Sequence, residues 1–181
     1  MPPKQRITRE MILERAFDMF CREGMEVVNA RSVAKALGCS TQPIFSYYTG
    51  MQDLRAALDL KAQDLFTAEV LEIEKSDAWF VDLCEAFVRF ACNHPHIYRH
   101  LYQSACEDKE RLTTLYPLGA PITAYICETA AVSEETAKAV FNRMLVYCVG
   151  LASVSIIGVC DINNTRSVIE KAYSDAIAAA R

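Results

Sequence analysis

Cys92, His94, His96 and His100 place four potential metal ligands close together, and His96 and His100 stand one helical turn apart. Such a pair can share a helix face and grip a metal ion. The spacing is not His-Glu-x-x-His, however, and no second cluster of ligands follows. Surface or pocket-lining histidines after the helix-breaking Pro95 are therefore expected, with neither metal nor cofactor. The eight cysteines, at 21, 39, 84, 92, 106, 127, 148 and 160, contain no Cys-x-x-Cys pair and lie mostly within apolar helical pattern. Reduced core thiols are the expected state, with a redox-sensing pair as the alternative. Catalytic signatures are missing as well: no phosphate-binding glycine loop, no Gly-x-Ser-x-Gly, no partnered carboxylates. The pattern argues against an enzyme.

A different constellation is steric. Over residues 30–48, Ala34 supplies a small residue where a second helix can cross, Gly38 a turn that tolerates positive φ, and Ile44 a branched apolar anchor. Val33, Leu37 and Cys39 complete a buried side. These slots, filled in register, predict two short crossed helices, a helix-turn-helix; an ordinary helical hairpin is the alternative.

The elements around it read as helices throughout, an all-α chain of 181 residues with six Gly and six Pro. Thr8 caps a first helix whose stripe Ile12, Leu13, Ala16, Phe17 and Phe20 ends at Gly24. Asn29 caps the second, closed by Gly38; Ser40 or Thr41 caps the third, with Pro43 in its first turn and Tyr48 at its end. A fourth runs from near Met51 to about Lys75, and Trp79–Cys92 forms another. Pro95 opens a helix through Tyr98, Leu101 and Tyr102. Residues 117–121 read as a loop before a helix ending near Val132. Ser133 caps a long apolar helix to about Val159, and Asn163 or Asn164 caps the last. The predicted division is a head over 1–50 and a larger domain over 51–181. Up to residue 55 there are eight Lys/Arg against six acids, while the rest is net −6. That asymmetry permits nucleic-acid binding by the N-terminal part. No apolar run suits a signal peptide. The uncharged stretch 144–160 falls short of the roughly twenty apolar residues of a membrane span. A cytoplasmic protein without membrane contact is expected, and no internal repeat suggests a stacked-helix adaptor.

From Thr8 to Leu58 the chain resembles the tetracycline-repressor (TetR) family: a helix ending at Gly24, then Val33-Ala34, Leu37-Gly38-Cys39-Ser40, Ile44-Phe45-Ser46-Tyr47-Tyr48 and Asp53-Leu54. The resemblance implies a transcriptional regulator, by family habit a repressor, in which a DNA-binding head is joined to a helical domain that dimerises and holds a small-molecule effector. It implies that Thr41, Gln42, Pro43, Phe45 and Tyr47 face the major groove of a double-stranded operator. Asn29, Arg31 and Tyr48 would lie near the DNA backbone or in the core of the head. The side-chain chemistry suits this. Gln42 can pair bidentately with adenine, Thr41 and Pro43 can meet thymine methyls, Tyr47 can donate to a phosphate, and Ser40 at a helix start suits an anion. Met51 and Phe45 stand where the family usually has Lys and Tyr, so Arg6, Arg9, Arg31 and Lys35 would share the phosphate contacts.

One short recognition helix reads too few base pairs, so a two-fold homodimer is expected. The apolar helix over 137–159 offers Leu145, Gly150 and Val154, and the last helix Val168, Ala172 and Ile177, as its interface; a buried helix of a monomer is the alternative. Phe87, Phe90, Tyr98, Tyr102, Tyr125 and Phe141 could line an apolar or aromatic effector's pocket, or simply fill the core. Trp79, Phe80, Tyr116 and Tyr147 belong to the same aromatic set.

Overall fold

The computed structural model describes residues 7–103 and 119–180, all helix and turn with no strand among them. The expected contributions of Lys4, Arg6, Cys106, Tyr116, Pro117 and Leu118 lie outside the described residues. The chain divides into two compact units, Met1–Leu65 and Phe66–Arg181.

In the first unit α1 (Arg9–Glu23) is capped by the Thr8 side chain, which accepts from the Met11 N–H at 3.2 Å, and ends at Gly24 with φ 96°. Ile12, Ala16 and Phe20 are buried along one side, as the 3-4 spacing requires. α2 (Ala30–Leu37) starts at a capping box: Asn29 Oδ1 accepts from the N–H groups of Arg31 and Ser32, both at 3.1 Å, and Ser32 Oγ accepts from the Asn29 N–H at 3.1 Å. Gly38 closes the helix in the left-handed region, φ 66° and ψ 31°. A side chain there would be strained whatever space surrounds it. α3 (Gln42–Tyr47) follows, with Pro43 in its first turn.

α4 (Met51–Phe66) is held at its start by Asp53, whose carboxylate accepts from the Thr49 N–H at 3.0 Å. Leu54, Leu58 and Ala62 are fully buried, and Lys61 pairs with Glu14 while lying 5.0 Å from the Phe17 ring centre. Most of α4 thus belongs to the first unit, and the division falls inside it rather than before Met51. The expected continuation to Lys75 stops earlier. The helix loosens into a π-turn over Thr67–Leu71, where the Glu72 N–H donates to the Thr67 carbonyl at 3.1 Å.

The second unit contains α5 (Trp79–Asn93), α6 (Pro95–Tyr98, widening into a π-turn over Arg99–Gln103), α7 (Gly119–Ala130), α8 (Glu134–Ile156) and α9 (Thr165–Ala178). α5 packs on α8 and α9, α7 packs on α8, and α9 also packs on α8. Gly119, Ala120 and Pro121 are already helical, so the expected loop does not extend to them; Pro121 lies in the first turn, where no N–H is needed. Ser133 caps α8 as expected, accepting from the Thr136 N–H at 3.2 Å. α8 is long and apolar enough, by length and composition alone, to cross a membrane.

Candidate functional site

The first unit builds its site from the inside outward. Ala34 and Ile44 are 3% and 1% exposed, Val33 is fully buried, and α2 and α3 both pack on α1. The Cys39 N–H donates to the Ala34 carbonyl at 3.0 Å across the Gly38 turn. α2 and α3 are thereby locked together, and what α3 does not bury it must display. Gln42 and Ser46 are exposed, Thr41 and Pro43 half-buried, and Phe45 is 53% exposed despite being aromatic. Ser40 and Arg31 are exposed too. Tyr47, 39% exposed, donates its hydroxyl to the Ile7 carbonyl at 3.2 Å. That bond steadies the ring beside a surface groove shared with Met11, Leu37, Ser40, Gln42 and Pro43.

Two of the residues expected near the DNA backbone or in the core of the head are engaged within the head. Tyr48 is 1% exposed, with its ring under the Arg9 guanidinium at 5.0 Å and its hydroxyl 3.5 Å from the Arg9 carbonyl. It is a core residue of the head, and burial raises its phenol above the ordinary value. Asn29 is exposed, but its carboxamide is taken up entirely by the start of α2: Oδ1 caps, and Nδ2 donates to the Val27 carbonyl at 3.2 Å. Thr41, expected as a possible cap for α3, makes no side-chain capping bond.

The second unit holds an apolar cavity of about 60 Å³ between α5, α7, α8 and the π-turn after α4. Phe87 and Phe141 line it together with Val70, Leu71, Phe80, Leu83, Cys84, Ile122, Met144, Leu145 and Cys148. The structure gives Phe90, Tyr98 and Tyr102 a different place. They stack edge-on or tilted with Phe66 and Phe87, ring centres 5.1–5.7 Å apart, as filled core. Tyr98 donates to the Val149 carbonyl at 3.4 Å, whereas the buried Tyr102 hydroxyl has no partner among the described residues, and desolvation drives its pKa far up. Tyr125 is turned away from the cavity: its hydroxyl donates to the Asp77 carbonyl at 2.5 Å and its ring packs edge-on to Trp79.

The expected interface residues also separate. Leu145 is half-buried and lines the cavity, because α8 turns that side towards α5. Gly150 and Val168 are exposed, and Val154, Ala172 and Ile177 half-buried. Sequence reading overlooked Val146 and Ile157, which are 74% and 70% exposed. It also passed over Leu83, Cys84, Met144 and Cys148 as cavity wall. The signal for those was present in the 3-4 spacing of Phe80, Leu83, Cys84 and Phe87, and of Phe141, Met144, Leu145 and Cys148. Among the described residues no group of three or more His, Cys, Asp and Glu side chains could hold a metal ion.

A chain whose described residues are all helix and turn, with α2, the Gly38 turn and α3 near its start, has the fold of the TetR-like transcriptional regulators. A TetR-like regulator from Rhodococcus sp. RHA1 superposes with a TM-score of 0.64 at 16% identity, over 96% of this chain and 99% of the other. A TetR-family regulator from Streptomyces coelicolor gives 0.69 at 15% identity, over 95% and 81%. In sequence the chain is 25% identical over 140 residues to YobS of Bacillus subtilis (strain 168), an uncharacterized HTH-type transcriptional regulator, covering 76% of this chain and 73% of the relative. No protein-family model matches.

Proposed function

We propose that this protein is a cytoplasmic DNA-binding transcriptional regulator of the TetR type, without enzymatic activity, acting as a homodimer. One observation carries the reading: α2 and α3 both pack on α1 with Ala34 and Ile44 buried and leave Gln42, Phe45 and Tyr47 exposed, with Arg31 exposed at the start of α2 and Ser40 beside the turn. Gln42 reads a base edge in the major groove, Thr41 and Pro43 meet thymine methyls, and Arg31, Ser40 and Tyr47 hold phosphates. The names of YobS and of the solved relatives support the same reading. Gel retardation with duplexes selected from a random pool tests it. Gln42→Ala should cost about 1–3 kcal/mol, roughly 5- to 150-fold, on the selected sequence and little on random DNA. Selection that yields no preferred sequence, or equal binding by the variant, would overturn the assignment.

The dimer reading rests on α8. Only 33% of its most apolar window is buried within the chain; Val146, Tyr147 and Ile157 are open to solvent, and Tyr147 borders a groove that reaches Val168 and Ala172 of α9. A second copy related by a two-fold axis would cover both helices. Gly150 suits this, because a Cβ there would meet nothing within its own chain. Val146→Asp should convert the dimer to monomer in sedimentation at micromolar concentration; a wild-type monomer would remove the idea. The effector in this reading is a small apolar or aromatic molecule admitted to the cavity of the second unit, releasing the operator by a population shift. A drug-sized ligand needs about 300 Å³ or more, so its entry would open the cavity well beyond its present size.

A further inference from the structure

We propose that Cys84 and Cys148 form a dithiol site in the wall of the second-unit cavity, one that captures a trivalent arsenical bearing no more than a small apolar substituent. This stands apart from DNA binding and does not rest on it.

The two cysteines come from α5 and α8, helices that pack directly on each other, and are 7% and 3% exposed. Both line the same cavity, and the Cys148 thiol beside it, with burial, raises the pKa of Cys84. Every other side chain of the wall is aliphatic, aromatic or a thioether. No hydroxyl, amide or charged side chain is there to hold a polar ligand, and an unpaired ion inside would cost several kcal/mol. What can be retained is therefore small, uncharged and bonded to sulfur. At about 60 Å³ the cavity has room only for a small group.

Geometry and protonation favour a bridging atom over a disulfide. A disulfide must draw the sulfurs to about 2.05 Å. A bent bridge with bonds near the ~2.3 Å of metal thiolates leaves them about 3.3 Å apart, close to ordinary thiol–thiol contact. The contact with Cys148 and burial hold the Cys84 thiol well above its usual pKa, so it stays protonated at neutral pH and reacts slowly with oxidants. Condensation with an arsonous acid, R-As(OH)2, does not need a free thiolate in the product. Two S–As bonds form, two As–O bonds break, and each thiol proton leaves with a hydroxide as water. Arsenic remains trivalent and no electron is transferred.

The test uses methylarsonous acid on the full-length protein, read by intact mass. Wild type should take one adduct per chain with loss of two waters, removable by a dithiol and resistant to a monothiol. C84S and C148S should each retain it about a hundredfold less well, as expected when a second tethered contact is lost, while C92S and C127S behave as wild type. Because a serine in this wall could unsettle the fold, a second measurement uses wild type alone. Alkylation of the remaining thiols followed by digestion should find Cys84 and Cys148 protected together. No adduct on wild type, retention by both serine variants, or protection of other cysteines would overturn the proposal.

Discussion

Gln42, Phe45 and Tyr47 stand in solvent over a core of Ile12, Phe20, Ile44 and Leu54, whereas Tyr98 and Tyr102 of the second unit are enclosed among rings. In the first unit the polar groups are either displayed or bonded to backbone, as Asn29, Tyr47 and Tyr48 show. In the second, the hydroxyls of Tyr102, Ser155 and Tyr173 are buried without a hydrogen-bond partner among the described residues. The contrast separates two kinds of recognition. A rigid small core that pushes side chains outward suits a large partner that stays outside. An apolar interior selects by admission, and whatever enters must fit or repack it. Substitutions can sharpen this difference or erase it.

The largest effect is expected at Ile44, which is 1% exposed and joins α3 to the rest of the head. Ile44→Ala removes buried methyl and methylene groups and leaves a cavity, costing about 2–5 kcal/mol. Urea unfolding followed by circular dichroism measures it. DNA binding should weaken far more steeply on warming in the variant than in wild type, because displaying Gln42 depends on this anchor. A loss below about 1 kcal/mol would mean that α3 is not held from inside, and the division into core and display would fail.

Asn29 comes next. The sequence makes it a cap, and the family resemblance implies a place near the DNA backbone or in the core of the head; in the structure its Oδ1 caps α2. Asn29→Ala should cost about 1 kcal/mol of stability. Asn29→Asp keeps the acceptor and adds a negative charge, favourable at a helix N-terminus and unfavourable near phosphate. Stability retained with DNA binding weakened would place residue 29 beside the backbone as well as in the cap. Unchanged affinity would confine it to the cap.

These two residues show what the sequence could carry. Thr8, Asn29 and Ser133 act on N–H groups two or three positions away, and Gly38 meets a local demand on φ, so their roles follow from adjacent letters. The helix-turn-helix slots are equally local. The end of α4 was not legible, since its π-turn at Thr67–Leu71 leaves no compositional mark. Tyr125 answers a carbonyl 48 positions away, and Leu145 faces the cavity only because α5 lies on that side of α8. Such assignments depend on which helices meet, and hydrophobic spacing alone gives two or three equivalent sides to a helix as apolar as α8.

The smallest effect should have the opposite sign. The Tyr102 hydroxyl is buried with no partner among the described residues, while its ring contacts Phe66, Phe87 and Tyr98. Removing an unsatisfied buried hydroxyl recovers desolvation cost and leaves the ring packing in place. Tyr102→Phe should therefore stabilise the protein by about 1 kcal/mol, seen as a rise in Tm without change in far-ultraviolet dichroism. Tyr48→Phe is the matching change in the head, where the hydroxyl sits 3.5 Å from a carbonyl, and it should be neutral or slightly destabilising. If both substitutions destabilise alike, the Tyr102 hydroxyl is satisfied in solution. The second unit would then handle its buried polar groups as the first one does. If only Tyr102→Phe stabilises, the unmet hydroxyl is a standing cost of the second unit's interior. A bound molecule that offers it an acceptor would recover part of that cost, and the variant should then bind that molecule less tightly than wild type.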